Sequence, residues 1–508
     1  MAATLKTIVA VTRGRLLQGA GQEDHTFEHM GLDSSTLEPG GLFAALPGTR
    51  AHGASFAGKT QAGAILTDEH GVEILKEAGE TRPVIEVSDV RDVLGFAAAE
   101  VYGHPSSQLS IIGITGTSGK TTTSYLVEAG LIAAGCSVGL IGTTGTRING
   151  QPVPTSLTTP EAPTLQALFA RMVQEGVTHV VMEVSSHALA LRRVQGTQLK
   201  VGAFSNLSQD HLDFHPTMQD YFDTKALFFR EDSALRAEHS VICVDDEWGQ
   251  RMAQVAGSGA ITVGTRGKAA KEAQVRAHDI QVDPIGGQRF ALDLPGESLD
   301  LSIPLPGRFN VANTALAVAL AQAAGADIQA FSKALARVAV PGRMERIDAG
   351  QDFIAVVDYA HKPAAIAEVL DTLRAQVSGR VGIAVGAGGN RDHSKRPIMG
   401  AEAARRADFV VVTDDNPRDE EPGPIRTAVI EGAQQAARQR EPQPEIVELG
   451  DRREAIAALA SWAQAGDAIV VAGKGHENGQ LVKGVNHPFD DREELRRALE
   501  HKDGEENR

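Results

Sequence analysis

Residues 108–126 constrain the fold of this chain more than any other segment. They read Q-L-S-I-I-G-I-T-G-T-S-G-K-T-T-T-S-Y-L, an apolar β-branched run followed by a glycine-containing loop and a helix-compatible stretch. Glycines let backbone N–H groups turn towards anionic oxygens, and a helix N-terminus adds its positive dipole end. The segment therefore predicts a nucleotide triphosphate site, in which Lys120 contacts the β- and γ-phosphates and the Thr121 hydroxyl binds Mg²⁺.

The loop is shorter than the common phosphate-binding pattern G-x-x-x-x-G-K-[ST]. Ile114 stands where the first glycine of that pattern is expected, and the loop itself reads G-x-x-G-K-T from Gly116 to Thr121. An ordinary strand–helix turn that happens to contain Lys-Thr is the alternative. The flanking strand and helix favour a phosphate loop, because the motif requires both.

The composition is that of a globular protein with an acidic charge balance. The 508 residues are 42% hydrophobic and 22% charged, so the length predicts about three domains with sizeable cores. A net charge of −16 argues against nucleic-acid binding by phosphate neutralisation. The sequence shows neither a run of about 18 apolar residues nor a signal-peptide core, so we expect a cytoplasmic protein without a membrane span.

Strand and helix patterns alternate through the middle third of the chain. Apolar strands are predicted at residues 177–184 and 201–204, and amphipathic helices at residues 163–174 and 217–229. Residues 280–294 predict a β-hairpin, with two consecutive glycines as the turn signal. The alternation predicts an α/β domain built on a parallel sheet.

Five apolar strands are predicted in the last third of the chain, at residues 354–357, 381–385, 409–413, 445–449 and 468–472. Each but the last is followed by a helical stretch, which predicts a second parallel sheet covered by helices on both faces. Residues that disfavour helix and strand, at His104-Pro105 and at Val340-Pro341-Gly342, predict domain boundaries. The predicted domains are residues 1–104, 105–341 and 342–508.

Two polar groups follow predicted strands of the middle third. Glu183 stands near the end of a strand, where it would bind Mg²⁺ beside Thr121, or else simply face solvent. Residues 206–215, N-L-S-Q-D-H-L-D-F-H, would present His211 and Asp213 to a nucleotide–metal site, or form a capping cluster before the next helix. The histidine spacing does not match the H-E-x-x-H zinc pattern.

Lys225 lies among apolar residues of the helix predicted at residues 217–229. Spacing alone predicts a lysine whose stem covers apolar surface while its ammonium reaches solvent. The surrounding residues by themselves give it no chemical role.

Four polar clusters follow predicted strands of the last third, at residues 358–363, 388–392, 414–418 and 473–477. Because the carboxyl ends of parallel strands meet at one edge of a sheet, these clusters would form a single pocket. Arginine would bind a carboxylate there, and aspartate or glutamate an ammonium, so the pocket suits a small zwitterion. A set of ordinary polar loops is the alternative.

Seven segments in order, I-T-G-T-S-G-K-T-T, E-V-S-S-H, N-L-S-Q-D-H-L-D-F-H, G-R-F-N-V-A-N, G-R-M-E, D-Y-A-H-K-P and D-D-N-P-R, resemble the Mur ligases. These are ATP-dependent amide-forming enzymes of peptidoglycan precursor synthesis. The resemblance extends over essentially the whole chain, and the short loop with Ile114 is itself the family's form. It implies an N-terminal uridine-nucleotide domain, a central P-loop ATPase domain and a C-terminal Rossmann-like, amino-acid-binding domain.

The resemblance also implies site residues. ATP would be bound by Gly116, Thr117, Ser118, Gly119, Lys120, Thr121, Thr122, Asn310, Arg343 and Asp358. The UDP-linked substrate would be bound by Ser34, Thr158, Thr159, Ser185 and Arg193. Diaminopimelate would be bound by Arg391, Asp415, Asn416, Pro417, Arg418, Gly473 and Glu477. Mg²⁺ would be held by Thr121, Glu183, His211 and Lys225, the last as a carbamylated lysine, which reverses the interpretation from spacing. The implied catalytic side chains are Lys120, Lys225 and His211.

Leu32-Asp33-Ser34 and residues 473–477 resemble the diaminopimelate-adding branch of the family. The implied substrates are UDP-N-acetylmuramoyl-L-alanyl-D-glutamate and meso-diaminopimelate, joined through an acyl phosphate by a monomeric enzyme. A lysine-adding ligase and a folate polyglutamate ligase are the nearest alternatives. A P-loop nucleotide switch is a more distant alternative, and its N-K-x-D tetrapeptide is missing from the sequence.

Overall fold

The computed structural model describes residues 3–19, 21–283 and 286–506. Within these ranges the chain forms three main sheets, each built from its own section of the sequence. No helix in the described ranges is both long and apolar enough to cross a bilayer.

The elements of the first section are β1 (Ala3–Thr4), α1 (Leu5–Thr12), β2 (Arg15–Gln18), β3 (Thr26–Phe27), β4 (Met30–Gly31), β5 (Leu42–Ala45), β6 (Ala64–Thr67), α2 (Glu69–Glu77), β7 (Val84–Glu86) and α3 (Val90–Val101). Its sheet has the order β2-β7-β6-β5-β4, with β4 to β7 parallel and β2 antiparallel at the edge. Short 3₁₀ turns lie at Gly53–Lys59 and Pro105–Gln108. Buried apolar residues of β5, β6 and β7 pack against α1 and α3.

The second section contains the phosphate loop. Its elements are β8 (Ser110–Thr115), α4 (Lys120–Ala133), β9 (Val138–Gly142), β10 (Gly145–Ile148), β11 (Gln151–Val153), α5 (Ala162–Gln174), β12 (His179–Glu183), α6 (Ser186–Ala190), β13 (Val201–Phe204), α7 (Met218–Ala226), β14 (His239–Cys243), α8 (Glu247–Ala256), β15 (Ile261–Gly264), α9 (Gly267–Glu272), β16 (Val275–Val282), β17 (Gln288–Leu294), β18 (Glu297–Ile303), α10 (Arg308–Ala323) and α11 (Ile328–Leu335). The sheet order is β11-β10-β9-β12-β8-β13-β14-β15-β16-β17-β18.

Strand β8 lies between β12 and β13 and is parallel to both. The loops that follow these three strands therefore meet at one edge of the sheet, which is where nucleotides bind in such folds. Helices α4 and α10 cover one face of the sheet, and the apolar residues of α10 are buried on nearly every side. This packing holds the start of α4 firmly behind the phosphate loop.

The predicted hairpin is confirmed as β16 and β17, with Gly286 at φ +86° in its turn. Pro284 and Ile285 of that segment lie outside the described residues. A third antiparallel strand, β18, was not predicted, although E-S-L-D-L-S-I alternates exposed and buried residues as an edge strand does.

The third section contains β19 (Glu345–Arg346), β20 (Ile354–Asp358), α12 (Pro363–Arg374), β21 (Val381–Val385), α13 (Lys395–Arg406), β22 (Phe409–Val412), α14 (Pro422–Ala437), β23 (Glu445–Glu448), α15 (Arg452–Trp462), β24 (Ala468–Ala472), β25 (Gly479–Val482), β26 (Val485–Pro488) and α16 (Asp491–Glu506). Its main sheet has the order β19-β20-β24-β21-β22-β23. The five predicted strands are confirmed and are mutually parallel. The predicted α/β class with parallel sheets is thus confirmed.

Candidate active site

The phosphate loop requires glycine at two positions. Gly116 has φ +145°, and a Cβ there would lie 2.0 Å from Ser205 Oγ. Gly119 has φ +84°, and a Cβ there would lie 2.3 Å from Asn313 Oδ1. Both the backbone conformation and the close neighbours exclude larger residues, so the loop shape depends on these glycines.

The loop is held by Asn206, which follows β13. The Ser118 amide donates to Asn206 Oδ1 at 2.9 Å, and the Thr117 amide donates to the Asn206 carbonyl at 2.9 Å. Helix α4 begins immediately afterwards with Gly119 as its N-cap, and this cap offers no side-chain acceptor to the first amides of the helix. Those amides and the positive end of the helix dipole make an anion site.

Three lysines from different elements converge on the loop carbonyls. Lys120 Nζ donates to the carbonyl oxygens of Gly116 (2.9 Å) and Thr117 (3.1 Å). Lys225 Nζ donates to the Gly116 carbonyl at 3.1 Å, and Lys362 Nζ donates to the Thr117 carbonyl at 2.9 Å. The loop therefore carries a strong concentration of positive charge where phosphates would bind.

Burial and the charges of the neighbouring lysines lower the pKa values of Lys120 and Lys225. Burial, with the charge of Lys362 as a second cause, lowers the pKa of Lys120 to about 8. Burial, helped by the charge of Lys120, lowers the pKa of Lys225 well below its ordinary value. Lys225 is only 1% exposed, so the interpretation of a lysine that reaches solvent is wrong. This lowering of the pKa favours the uncharged amine, which is the nucleophilic form.

Asp210 and His211 lie beside this lysine group. Asp210 Oδ2 is 2.9 Å from Lys362 Nζ, and both side chains are less than a tenth exposed. Although burial alone would raise it, the charge of Lys362 holds the pKa of Asp210 well below its usual range. Burial lowers the pKa of His211 to about 3, so its ring is neutral and keeps a lone pair.

Glu183, the last residue of β12, is 1% exposed, so the alternative of a solvent-facing glutamate is wrong. Both of its carboxylate oxygens accept hydrogen bonds from Thr143: Oε1 from the amide and Oε2 from the hydroxyl, each at 2.9 Å. The Thr159 hydroxyl donates to the Glu183 carbonyl at 2.8 Å.

A cavity of about 480 Å³ opens between the phosphate loop and the third section. Among the predicted site residues, its lining contains Thr117, Ser118, Gly119, Lys120, Thr121, Thr122, Thr158, Thr159, Glu183, Ser185, Arg193, His211, Arg343, Asp358 and Arg391. Most residues assigned to ATP and to the UDP-linked substrate thus share one space with Arg391, one of those assigned to diaminopimelate. Arg343 joins the sections directly, because its Nη2 lies 3.3 Å from Thr121 Oγ1.

The same cavity is lined by residues that the sequence did not single out: Thr143, His187, Asp210, Asn313, Tyr359, His361 and Lys362. Asp210, Tyr359, His361 and Lys362 fall within polar segments noted in the sequence. Thr143 had no such signal, since a threonine after a strand is commonplace.

Asn310 and Ser34 lie outside this lining, as do Gly116, Lys225 and all the residues assigned to diaminopimelate except Arg391. Asn310 is 1% exposed; it donates to the Pro306 carbonyl at 2.7 Å and accepts from Asn313 Nδ2 at 3.0 Å, so Asn313 is the residue that faces the cavity. Ser34 is half-buried in the first section, beside an Asp33 carboxylate that accepts from Ser35 Oγ at 2.6 Å.

The polar clusters of the third section follow four adjacent strands, β20, β24, β21 and β22. Asn416 Nδ2 donates to Glu477 Oε2 at 2.8 Å, and the fully buried Lys474 donates to both side chains at 2.9 and 3.0 Å. A Cβ at Gly473 would lie 2.4 Å from Asp415 Oδ2. The clusters therefore form one hydrogen-bonded group, in which Lys474 was not predicted.

Arg418 and Arg391 bring positive charge to this group. Arg418 has φ +53°, and its Nη1 donates to the Gly389 carbonyl at 2.7 Å. Burial and the nearby charge of Arg391 lower the pKa of Arg418, although a guanidinium keeps its proton. The Pro417 carbonyl lies close to Gly389, where a Cβ would be 1.9 Å from its oxygen.

Three family sequence models match the chain in order. Residues 26–102 match "Mur ligase family, catalytic domain", residues 114–321 match "Mur ligase middle domain", and residues 342–475 match "Mur ligase, glutamate ligase domain". The chain is 63% identical over 478 residues to UDP-N-acetylmuramoyl-L-alanyl-D-glutamate--2,6-diaminopimelate ligase of Corynebacterium glutamicum, covering 93% of this chain and 92% of that protein.

The chain belongs to the Mur ligase family.

Other Mur ligases resemble it over similar lengths. The protein of the same name from Streptomyces avermitilis is 45% identical, covering 96% of this chain and 95% of that protein. A solved structure of a ligase of that name has a TM-score of 0.67 and 31% identity, covering 99% of this chain and 100% of that one. MurF from Acinetobacter baumannii, at 18% identity and a TM-score of 0.64, shares the fold, with 93% and 96% of the chains covered.

Proposed function

We propose that this Mur ligase joins meso-2,6-diaminopimelate to the D-glutamate γ-carboxylate of UDP-N-acetylmuramoyl-L-alanyl-D-glutamate, using ATP. The observation that carries the proposal is that the phosphate loop and Arg391 line the same cavity. Relatives that bear this ligase name share 45–63% identity over most of the chain.

ATP would place its phosphates on the loop between Gly116 and Thr122. A second cavity of about 190 Å³, lined by Ser118, Gly119 and Asn313 among others, adjoins the loop and has room for part of the nucleoside. Lys120, Arg343 and Lys362 line the first cavity and would stabilise charge on the transferred phosphoryl group.

Mg²⁺ would be held by Thr121, Glu183, His211 and carbamylated Lys225, together with phosphate oxygens. When bound, it would neutralise phosphate charge. Lys225 fits the modification, because its lowered pKa favours the uncharged amine, which can attack CO₂, forming an N–C bond and releasing one proton.

The residues of the cavity and of the polar clusters of the third section support the following reaction. The γ-carboxylate of D-glutamate takes the γ-phosphoryl group of ATP, giving an acyl phosphate and ADP. An amine of diaminopimelate then attacks the acyl carbon, and phosphate leaves as the amide forms. Arg391 and Arg418 would bind a diaminopimelate carboxylate, and Asp415 or Glu477 an ammonium. Positioning and electrostatics supply most of the rate.

The domain limits proposed for this enzyme are residues 1–104, 105–341 and 342–508, and each main sheet falls within one of them. We propose that it acts as a monomer in the cytoplasm, where nucleotide-linked peptidoglycan precursors are made.

The test is phosphate release from ATP with UDP-N-acetylmuramoyl-L-alanyl-D-glutamate and one amino acid at a time. Release with meso-diaminopimelate, and much less with L-lysine, is expected. Preference for lysine would support the lysine-adding alternative, and release without any amino acid would favour the nucleotide switch. The variant Arg418→Ala should lose diaminopimelate use selectively, since the second carboxylate then lacks its cation. Unchanged kinetics in that variant would contradict the assignment.

A further inference from the structure

Thr143 holds the Glu183 carboxylate at both oxygens. Its amide donates to Oε1 and its hydroxyl to Oε2, each at 2.9 Å. Charge-assisted bonds of this kind are among the stronger hydrogen bonds in proteins. Each carboxylate oxygen has two lone pairs, so one on each oxygen remains available to another partner.

The neighbouring backbone is shaped for this contact. Strands β9 and β12 are parallel neighbours, so Thr143, directly after β9, stands beside the end of β12 where Glu183 lies. A Cβ at Gly142 would lie 2.5 Å from Glu183 Oε1, so only glycine lets the carboxylate come this close to the backbone. Gly142 and Thr143 together form a cradle for one carboxylate.

Thr143 also contacts residues of the second and third sections. Thr143 Oγ1 lies 3.3 Å from Thr158 Oγ1, and the Thr143 backbone contacts His476 from the loop after β24. Thr143 therefore lies where the phosphate loop, the UDP-linked substrate and the third section meet.

We propose that Thr143 is a positioning residue that fixes the plane of the Glu183 carboxylate for Mg²⁺–nucleotide binding. The inference rests on the proposed role of Glu183 as a metal ligand. A buried carboxylate that is free to rotate would point its lone pairs at the ion only part of the time. Two bonds from one residue remove that freedom, and residues that orient metal ligands in this way strongly affect metal affinity.

The test measures ADP binding by calorimetry across a Mg²⁺ titration, a readout that needs neither acceptor substrate nor turnover. Thr143→Val removes the hydroxyl but keeps the shape and the amide bond, and should raise the Mg²⁺ concentration for half-maximal ADP affinity about tenfold. Thr143→Ser should restore the original value. In turnover, Thr143→Val should recover most of its kcat at saturating Mg²⁺.

The matched control is Thr144→Val. Thr144 is equally half-buried, but its hydroxyl accepts from Tyr125 OH at 3.1 Å rather than bonding Glu183. This control should leave the Mg²⁺ dependence unchanged. Gly142→Ala keeps the Thr143 hydroxyl but displaces the carboxylate, so it should reproduce the Mg²⁺ defect even if Thr143→Val folds poorly.

Wild-type Mg²⁺ dependence in both Thr143→Val and Gly142→Ala, with a clear defect in Glu183→Gln, would overturn the role of Thr143 and leave the proposed function intact. Wild-type dependence in Glu183→Gln as well would overturn the metal role of Glu183, and the inference with it. A defect of equal size in Thr144→Val would also overturn the inference, because it would reveal a general disturbance of the segment.

Discussion

Lys362 of the third section and Asp210 of the second form a buried ion pair, with Lys362 Nζ 2.9 Å from Asp210 Oδ2. The same ammonium donates to the Thr117 carbonyl of the phosphate loop at 2.9 Å. Lys362 is also the N-cap residue of α12, directly after a strand loop that lines the cavity. One charged side chain thus links the sheet of the third section to the nucleotide loop.

Removing either partner of this pair should be costly, because the other is left buried and unpaired. Lys362→Met and Asp210→Asn should each lower the free energy of unfolding by about 3–5 kcal/mol. In urea titrations the double variant should lose much less free energy of unfolding than the sum of the losses in the two single variants. The exposed pair of Lys200 and Glu238 is the control, and Lys200→Gln should leave stability nearly unchanged. Additive losses would show that the two residues act independently.

Nucleotide affinity should fall in alkaline solution through Lys120. Its pKa is lowered to about 8, so the ammonium is present below that pH and is lost as the pH rises through it. The Kd for ADP should therefore rise about tenfold per pH unit above about 8. Lys120→Arg keeps its charge throughout this range, so its Kd should show no such rise. A flat profile for the unmodified protein in calorimetry from pH 6.5 to 9.5 would contradict the prediction.

Activity should depend on dissolved CO₂ through Lys225. Burial lowers the pKa of the Lys225 amine well below the ordinary lysine value, which favours the uncharged form that reacts with CO₂. Protein prepared in CO₂-free buffer should lose most of its phosphate release, and bicarbonate should restore it. Lys225→Met should be weakly active and indifferent to bicarbonate. Full activity of the unmodified protein without CO₂ would exclude the modification as a requirement.

Gly116 should not tolerate alanine. A Cβ there meets Ser205 Oγ at 2.0 Å on a backbone with φ +145°, so the loop must move or strain. Gly116→Ala should lose ADP binding and about 2–4 kcal/mol of stability, measured by calorimetry and urea unfolding. Gly259→Ala is the control in the same section, because its Cβ would meet nothing within 4 Å. Equal effects of the two variants would show that the space around Gly116 is not what matters.

The sequence predicts those structural features that are determined by residues close together in the chain. The phosphate loop is recognisable because its strand, glycines and helix start are contiguous in the chain. The parallel strands of the third section are recognisable because burial on both faces leaves an unbroken apolar run, as in β21 and β24. Strand β19 was missed, since two residues at a sheet edge carry no pattern.

Structural features that depend on contacts between residues far apart in the chain could not be predicted from residue spacing. Lys225 resembles a surface lysine on its own helix, and its hydrogen bonds to Thr115 and Gly116, about 110 positions away, appear in no local pattern. Thr143 is separated from Glu183 by 40 positions, and neither neighbourhood hints at the other. Here the family resemblance drew attention to Lys225, whereas the role of Thr143 required the structure.

Helix α4 begins with Gly119, which supplies no side-chain acceptor for the first amides of the helix. Most helices complete this turn with a residue of their own, typically gaining about 1 kcal/mol. In this protein the phosphates of the nucleotide would accept the hydrogen bonds of those first amides, as a capping side chain does in other helices. Nucleotide binding would therefore add stability to the first turn of an already packed helix, by an amount that grows with nucleotide concentration above the Kd.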